Sequence, residues 1–396
     1  MKFKFKKIAA LLLALCMLLT LASCVKEPTH PTTDEPDNAL NIGTFTPTGP
    51  IKNVILIIGD GMGKNHIAAG ALDRGSAYDF QSWQRVDVNT DSVDKETGEH
   101  ALTDSAASAT AMATGTLTQN KFVGIDTAQN NLATIMDYAK ASGKSTGIVT
   151  SDYLYGATPA GFSAHSDDRS DSKAITESQL QSGINFLAGL NSTYYELGVY
   201  EKIIKNSPYY FSNSLTDAEI AKNENVMLSL NIENGEKDSV SLSDVTKAAL
   251  DFLEEDNEGF VLMIEQAYID KYSSNNKFGD MVSRMHSLGN TVDAVMEWVG
   301  DRTDTVVIVT ADHETGGLNV SSDTELQSIY NGQNGSIYYS WAGSDHTHSF
   351  VDLYVWGTTE KFDEYSTFKS GELIKNTDIF TLMKRLVTTG EPSPAA

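Results

Sequence analysis

The sequence has few cysteines, few prolines and a shortage of basic residues. Only Cys16 and Cys24 occur among 396 residues, which excludes a disulfide framework and a zinc site built from thiolates. There are 29 Lys and Arg against 53 Asp and Glu, so no basic face for a nucleic acid is expected at a net charge of -24. Nine Pro and 30 Gly exclude a collagen-like chain. The 40% of hydrophobic residues are enough for a large globular core.

The first residues have the order of an export signal. Four Lys lie within the first seven residues, and a mostly apolar run follows over residues 8–21, which is short for a membrane span. The run ends in LASC, which resembles the lipobox of bacterial lipoproteins, where the signal is cut before a cysteine that then carries lipid. We therefore expect a signal peptide over residues 1–23 and a lipid on Cys24. This implies an extracytoplasmic protein anchored to the bacterial cell membrane or outer membrane; an ordinary signal peptide is the alternative.

A tether is expected between this signal and the folded part. Residues 24–50 hold five of the nine prolines among Thr and acidic residues, and they have few apolar side chains. Such a segment cannot bury enough surface to fold on its own. We expect a disordered tether over residues 24–50 and a folded domain over residues 51–396.

The domain alternates between buried strands and amphipathic helices. Short, continuously apolar runs at residues 54–58, 147–150, 260–264 and 306–309 are typical of strands covered on both faces. Between them, apolar residues recur at steps of three and four, for example over residues 285–299 and 132–138. This alternation predicts an α/β fold with a doubly wound, mostly parallel sheet and helices on both faces.

Acidic residues follow three of these strands. Asp60 follows the first, Glu265 and Asp270 follow the third, and Asp312 and His313 follow the fourth. Ligands of parallel sheets collect outside the carboxyl ends of the strands. Grouped acids repel each other unless a cation lies among them, and this donor set suits Mg²⁺ or Zn²⁺. The alternative is that each acid caps a helix or a turn separately.

A serine begins a helix-forming run. Ser105 lies in HALTDSAASATAMATG, at or near a helix N-terminus, where free N–H groups favour an anion. Taken alone, Ser105 is most simply an N-cap.

Six segments together resemble one family. TDSAASATAMATG resembles the nucleophile segment of the alkaline phosphatase family, and five others are similar to its remaining motifs, in the same order: ILIIGDGMG, ATPAGFSAH, GFVLMIEQAYID, VTADHETGG and HTHSFVDLYVWG. The resemblance extends from about residue 53 to about residue 386. It implies an alkaline phosphatase-like fold and metal-dependent hydrolysis of small phosphorylated substrates, chiefly phosphomonoesters.

The resemblance also implies roles for the matching residues. Ser105 attacks phosphorus and forms a phosphoserine that water hydrolyses, and Arg169 binds the phosphate. Without the resemblance, Arg169 would be interpreted as a solvated salt bridge, because three Asp surround it. One or two Zn²⁺ and one Mg²⁺ are implied. Their ligands are Asp60, Asp312 and His313 for the zinc beside Ser105, Asp270 and His346 for the other zinc, and Asp60, Thr158 and Glu265 for magnesium.

Two positions depart from the family pattern. Ser274 stands where the family usually has a His on the second zinc, and Gly156 where it usually has an Asp or His near magnesium. A hydroxyl is a poorer Zn²⁺ ligand than imidazole, so we expect weaker zinc binding, or a ligand supplied from elsewhere. His348, two residues after His346, points the same way if the segment is extended. Asp152, just past a strand, is the candidate for the charge missing at Gly156.

These departures leave two other functions open. One is a phosphodiesterase on the same fold, and the other is a degenerate lipoprotein that binds phosphate or a phosphorylated ligand. Residues 173–257 fall between the motifs, and we expect either an inserted cap or additional helices and strands there. Whether the chain forms a homodimer stays open.

Overall fold

The computed structural model describes residues 49–190, 207–233, 239–357 and 373–390. The predicted signal peptide, Cys24 and nearly all of the tether lie outside the described residues. Among the helices that are described, none combines the length and the apolar character needed to cross a bilayer.

Ten strands form one central sheet. Its strands are β1 (Asn53–Gly59), β2 (Gln84–Asn89), β5 (Ser145–Thr150), β6 (Phe186–Leu190), β7 (Tyr210–Ser212), β8 (Val226–Leu230), β9 (Phe260–Gln266), β10 (Thr305–Thr310), β16 (Val351–Gly357) and β17 (Leu373–Lys375). Their order across the sheet is β17-β2-β16-β10-β1-β9-β5-β6-β8-β7. Only β16 runs antiparallel to its neighbours. The predicted doubly wound, mostly parallel α/β fold is confirmed.

Seven further strands form three small sheets in the described part of the chain. They are β3 (Ser92–Val93), β4 (His100–Ala101), β11 (Glu314–Thr315), β12 (Leu318–Ser321), β13 (Gly332–Asn334), β14 (Ile337–Trp341) and β15 (His346–Thr347). Strand β3 pairs with β4, β11 with β15, and β14 with both β12 and β13.

Nine α-helices are described, and they pack in two groups. The first group is α1 (Lys64–Arg74), α6 (Leu242–Leu253), α7 (Tyr268–Ser273) and α8 (Phe278–Val299). The second is α2 (Ser105–Thr114), α3 (Ile135–Ala141), α4 (Ala157–Ser163), α5 (Ser172–Gln179) and α9 (Asn376–Thr389). All residues of β1, β9 and β10 are buried, as expected for central strands covered on both faces.

The strand register brings the acidic residues to one edge of the sheet. Ile58 of β1 pairs with Thr310 of β10 on one side and with Glu265 of β9 on the other. Asp60 and Asp312 therefore leave neighbouring strands at the same level. The grouping expected from the strand ends alone is what the sheet produces.

The described residues of the segment 173–257 extend the central sheet. They contribute β6, β8 and β7 at one end of the sheet, and α6 packs beside β5. Residues 191–206 and 234–238 of the segment lie outside the described part.

Candidate functional site

The most buried cluster lies where β1 and β10 end. One ligand atom from each of Asp60, Asp312 and His313 lies within 4.8 Å of the others. His313 Nε2 is 3.2 Å from Asp312 Oδ2 and 3.5 Å from Asp60 Oδ1. Ser105 Oγ lies 3.3 Å from the same nitrogen. We call Asp60, Asp312 and His313 the first ligand group.

The electrostatics of the first ligand group call for a cation. Asp60 Oδ1 and Asp312 Oδ2 are buried, and neither has a hydrogen-bond partner among the described residues. Burial, then the neighbouring carboxylates, raise the pKa of Asp60 well above its ordinary value, and burial also raises the pKa of Asp312. Buried oxygens of this kind are costly unless a donor or an ion satisfies them. The donor set of two carboxylates and one imidazole fits a divalent metal ion.

Hydrogen bonds fix which nitrogen of each histidine is free. Thr315 Oγ1 donates to Asp270 Oδ1 at 2.6 Å, so at 3.2 Å it accepts from Nδ1–H of His313. His346 Nδ1 donates to the Thr103 carbonyl at 2.8 Å. Both rings therefore present a lone pair on Nε2, and such support of the opposite nitrogen is typical of histidines that bind metals. Burial also lowers the pKa of His313 to about 3, which keeps it neutral.

A second ligand group lies beside the first. It consists of Asp270 and His346, with His346 Nε2 3.7 Å from Asp270 Oδ1. The His313 and His346 rings stack with centroids 3.4 Å apart. Ser274 directly follows α7, and its Oγ is 3.5 Å from Asp270 Oδ1, the long limit of a hydrogen bond.

The structure does not bring His348 to this group. Its Nδ1 lies 3.1 Å from Asp91 Oδ1, and 66% of its side chain is exposed. The sequence argument required an extended chain from His346 to His348, but β15 ends at Thr347, so the alternation of side chains ends before His348.

We call Glu265, Thr158 and Asp152, which lie together near the end of β9, the third ligand group. Burial, then the charge of Asp152, raise the pKa of Glu265 to about 7, and the Thr150 hydroxyl donates to its Oε2. Thr158 is buried in the first turn of α4. Asp152 Oδ1 is 2.5 Å from Lys271 Nζ, while Oδ2 is 3.1 Å from the point that a Cβ on Gly156 would occupy. The Asp152 carboxylate thus lies beside Gly156, which supports Asp152 as the source of the missing charge.

Asp104, and not Ser105, caps helix α2. Asp104 accepts a hydrogen bond from the Ala107 N–H at 2.9 Å, and Ser105 is the first helical residue, nearly fully buried. Asp104 Oδ2 also lies 3.1 Å from Arg169 Nη1, so the partner of Arg169 is Asp104 rather than the acids beside it in sequence. Because Asp104 makes the cap, the Ser105 hydroxyl is not used for capping and lies beside His313 Nε2 at the helix N-terminus, where the dipole favours an anion.

His66 is not among the predicted site residues, but it connects two segments of the site. It is fully buried; Nδ1 accepts from Gly63 N–H at 3.1 Å, and Nε2 lies 3.0 Å from Ser273 Oγ. Ser273 Oγ donates to the Ile269 carbonyl, so it accepts from His66 Nε2–H. This connection joins the turn after β1 to α7, which carries Asp270. The turn itself needs glycine, because Gly61 has a φ of 73°.

The sequence and the fold match those of known proteins. The profile of the family described as alkaline phosphatase matches residues 51–189 and 222–385. Alkaline phosphatase 4 of Bacillus subtilis strain 168 is 30% identical over 294 residues, which cover 69% of this chain and 64% of that protein. Alkaline phosphatase of Escherichia coli strain K12 is 27% identical over 404 residues, which cover 81% and 86%.

Among solved structures, the alkaline phosphatase of the Antarctic bacterium TAB5 superposes with a TM-score of 0.72 at 25% identity, over 87% of this chain and 98% of that one. The chain spans a little under two thirds of the length of the Bacillus relative. The family profile nevertheless covers most of the folded part, on both sides of the 190–221 gap. This chain belongs to the alkaline phosphatase family.

Proposed function

We propose that the protein is a metal-dependent phosphatase that hydrolyses phosphomonoesters through a phosphoserine at Ser105. The observation that carries the proposal is the position of Ser105 Oγ. It lies at a helix N-terminus and 3.3 Å from Nε2 of His313, within a group whose buried oxygens lack partners. Family membership supports the hydrolysis of phosphoesters.

The three ligand groups would hold the metal ions. Zn²⁺ fits Asp60, Asp312 and His313, with Ser105 beside them, and a second divalent ion would lie at Asp270 and His346. Mg²⁺ would be held by Asp60, Thr158 and Glu265, with Asp152 nearby. When bound, such ions lower the pKa of a coordinated hydroxyl and offset charge on phosphate oxygens.

The side chains then have complementary tasks. The guanidinium of Arg169, held by Asp104, can bind two oxygens of one phosphate. A bond forms between Ser105 Oγ and phosphorus as the bond to the leaving alcohol breaks. The serine proton passes to solvent, and the alcohol takes one up. Water then breaks the Oγ–phosphorus bond, which releases inorganic phosphate and restores the serine.

The preference for monoesters is tested by comparing two substrates of one alcohol, its phosphate monoester and its diester. We expect the monoester to be hydrolysed faster, because it has three unesterified oxygens and the diester has two. The monoester therefore keeps one more oxygen for the metal ions after the Arg169 fork has bound two. Arg169→Lys should lower kcat/KM for the monoester by about 10- to 150-fold, the equivalent of one charge-assisted hydrogen bond.

The control for this comparison is Lys173→Arg, an exposed residue of α5 whose side chain pairs with Glu177. It should leave both rates unchanged. A diester rate above the monoester rate would favour a phosphodiesterase, and metal-replete protein that turns over neither substrate would favour a phosphate-binding lipoprotein.

We also propose that Cys24 is lipidated and anchors the protein outside the cytoplasm to a bacterial membrane. The support is the order of a Lys-rich start, an apolar run and LASC in the sequence. Cys24→Ser should move the protein from the membrane fraction to the soluble fraction of an expressing bacterium. Cys16→Ser, within the signal, is the matched control and should stay with the membrane. A Cys24→Ser protein that remains in the membrane fraction contradicts the anchor.

A further inference from the structure

The first and second ligand groups compete for one imidazole. His313 has ligand atoms within 4.8 Å of Asp60 and Asp312, and equally within 4.8 Å of Asp270 and His346. Its Nδ1 carries the proton that is donated to Thr315, so only Nε2 has a lone pair. A single lone pair can coordinate only one ion, so His313 can be a ligand in only one of the two groups.

The position of Nε2 decides which group receives it. It lies 3.2 Å from Asp312 Oδ2, 3.5 Å from Asp60 Oδ1 and 3.3 Å from Ser105 Oγ. Both carboxylate oxygens are buried and without hydrogen-bond partners among the described residues, so they are available to the same ion. The first ligand group therefore has three strong ligands around one point.

The second ligand group is left with two strong ligands, Asp270 and His346. Asp270 Oδ1 already accepts from Thr315. The next polar side chain beside Asp270 is that of Ser274, whose hydroxyl binds divalent ions weakly when it keeps its proton. Throughout the described residues, no further His, Cys, Asp or Glu joins this group within the same limit.

The second ligand group, which has fewer strong ligands, is also more open to solvent than the first. The side chains of Asp312 and His313 are fully buried, whereas those of Asp270 and His346 are about one fifth exposed, at 18% and 22%. An ion at the second group can keep water ligands, which the first group has little room for. Few protein ligands and open access both favour fast exchange.

We propose that the two ions are held unequally, as one resident Zn²⁺ at Asp60, Asp312 and His313 and one exchangeable divalent ion at Asp270 and His346. The exchangeable ion is bound by one carboxylate, one imidazole and water, so its occupancy follows the free metal concentration around the protein. The inference rests on the proposed metal-dependent function, and it makes the supply of divalent metal a control on turnover.

Metal counting tests the inference without any substrate. The metal-free protein is loaded with excess Zn²⁺ and Mg²⁺ and desalted, and zinc is then measured per chain by mass spectrometry. We expect about one retained Zn²⁺ in the wild type. Ser274→His adds an imidazole at the end of α7, four residues after Asp270, and should retain about two. Ser274→Ala is the matched control and should retain one.

A titration with Co²⁺ followed by absorbance gives the affinities. The wild type should show two phases, and Ser274→His should tighten the weaker phase by more than about 100-fold, because even an outer partner of a ligand is worth about 10- to 100-fold. If Ser274→His does not fold by circular dichroism, Ser274→Asp replaces it with a smaller ligand. Two zinc ions retained by the wild type would overturn the inference while leaving the phosphatase proposal intact. The expected metal counts in a protein without turnover would contradict the phosphatase proposal and leave the inference on the metal ions intact.

Discussion

Replacing Ser105 with Ala should reduce the release of phosphate from a monoester by about four to six orders of magnitude, the range found when other enzymes lose a nucleophile. The change removes the only atom that can form the phosphoserine, but it leaves the metal ligands and Arg169 in place. The rate is measured as phosphate release at saturating substrate, with Zn²⁺ and Mg²⁺ present.

The unfolding temperature separates the loss of the nucleophile from misfolding. Ser105 is the first residue of α2, while the capping bond is made by Asp104, so Ser105→Ala should unfold at nearly the same temperature as the wild type. Ser145→Ala is the matched control, because the Ser145 hydroxyl lies at the start of β5, at the opposite edge of the sheet from the ligand groups, and donates to Asp256. Hydrolysis that persists in Ser105→Ala at the rate of this control would exclude the serine mechanism.

Removal of the metals should abolish turnover and should lower the melting temperature more at pH 8 than at pH 5.5. In the metal-free fold, the pKa values of Asp60, Asp312 and Glu265 lie above their ordinary values. A carboxyl whose pKa is raised by folding costs stability as the pH rises from its unfolded pKa to its folded pKa. For Glu265 that interval extends from about 4.5 to about 7, so the cost is complete at pH 8 and partial at pH 5.5.

Between pH 5.5 and pH 8, the cost of the Glu265 carboxyl to the free energy of unfolding of the metal-free protein should grow by an amount on the order of 2 kcal/mol, since one pKa unit corresponds to about 1.4 kcal/mol. His66 and His313 do not contribute to this difference, because burial lowers their pKa values to about 3 and keeps them neutral in the metal-free folded protein at both pH values. Scanning calorimetry with saturating Zn²⁺ and Mg²⁺, and with a chelator, measures the effect at each pH. An equal or larger loss at pH 5.5 contradicts the proposed role of the buried carboxyls. Restoration by the two ions is the control for damage by the chelator.

The central strands and the location of the site followed from the sequence because both depend on local patterns. Runs of continuous apolar residues are required where a strand is covered on both faces, and β1, β9 and β10 enclose the predicted runs. Acids placed after such strands must then meet at one edge. The helix expected over residues 132–138 begins only at Ile135, because Thr134 supplies its N-cap.

The directions and hydrogen-bond partners of individual side chains depend on contacts between segments that are distant in sequence. No local sequence pattern contains this information. The direction of His348 was expected from a strand that proved to be two residues long. Asp104 and Ser105 are both good N-caps, and only the contacts of Asp104 with Ala107 and Arg169 distinguish them. The bridging position of Thr315, between Asp270 and His313, requires α7 to lie beside the segment that follows β10.

The pairing of β1 with β10 has a consequence for the order of events during folding. The Gly61 N–H donates to Asp312 Oδ1 at 3.0 Å across 251 residues of sequence, so the first ligand group exists only once distant parts of the chain have met. Contacts of such separation form slowly, because the long loop must close before they contribute. Metal therefore cannot guide the early stages of folding. The chain must therefore reach its topology before an ion can bind at the first ligand group.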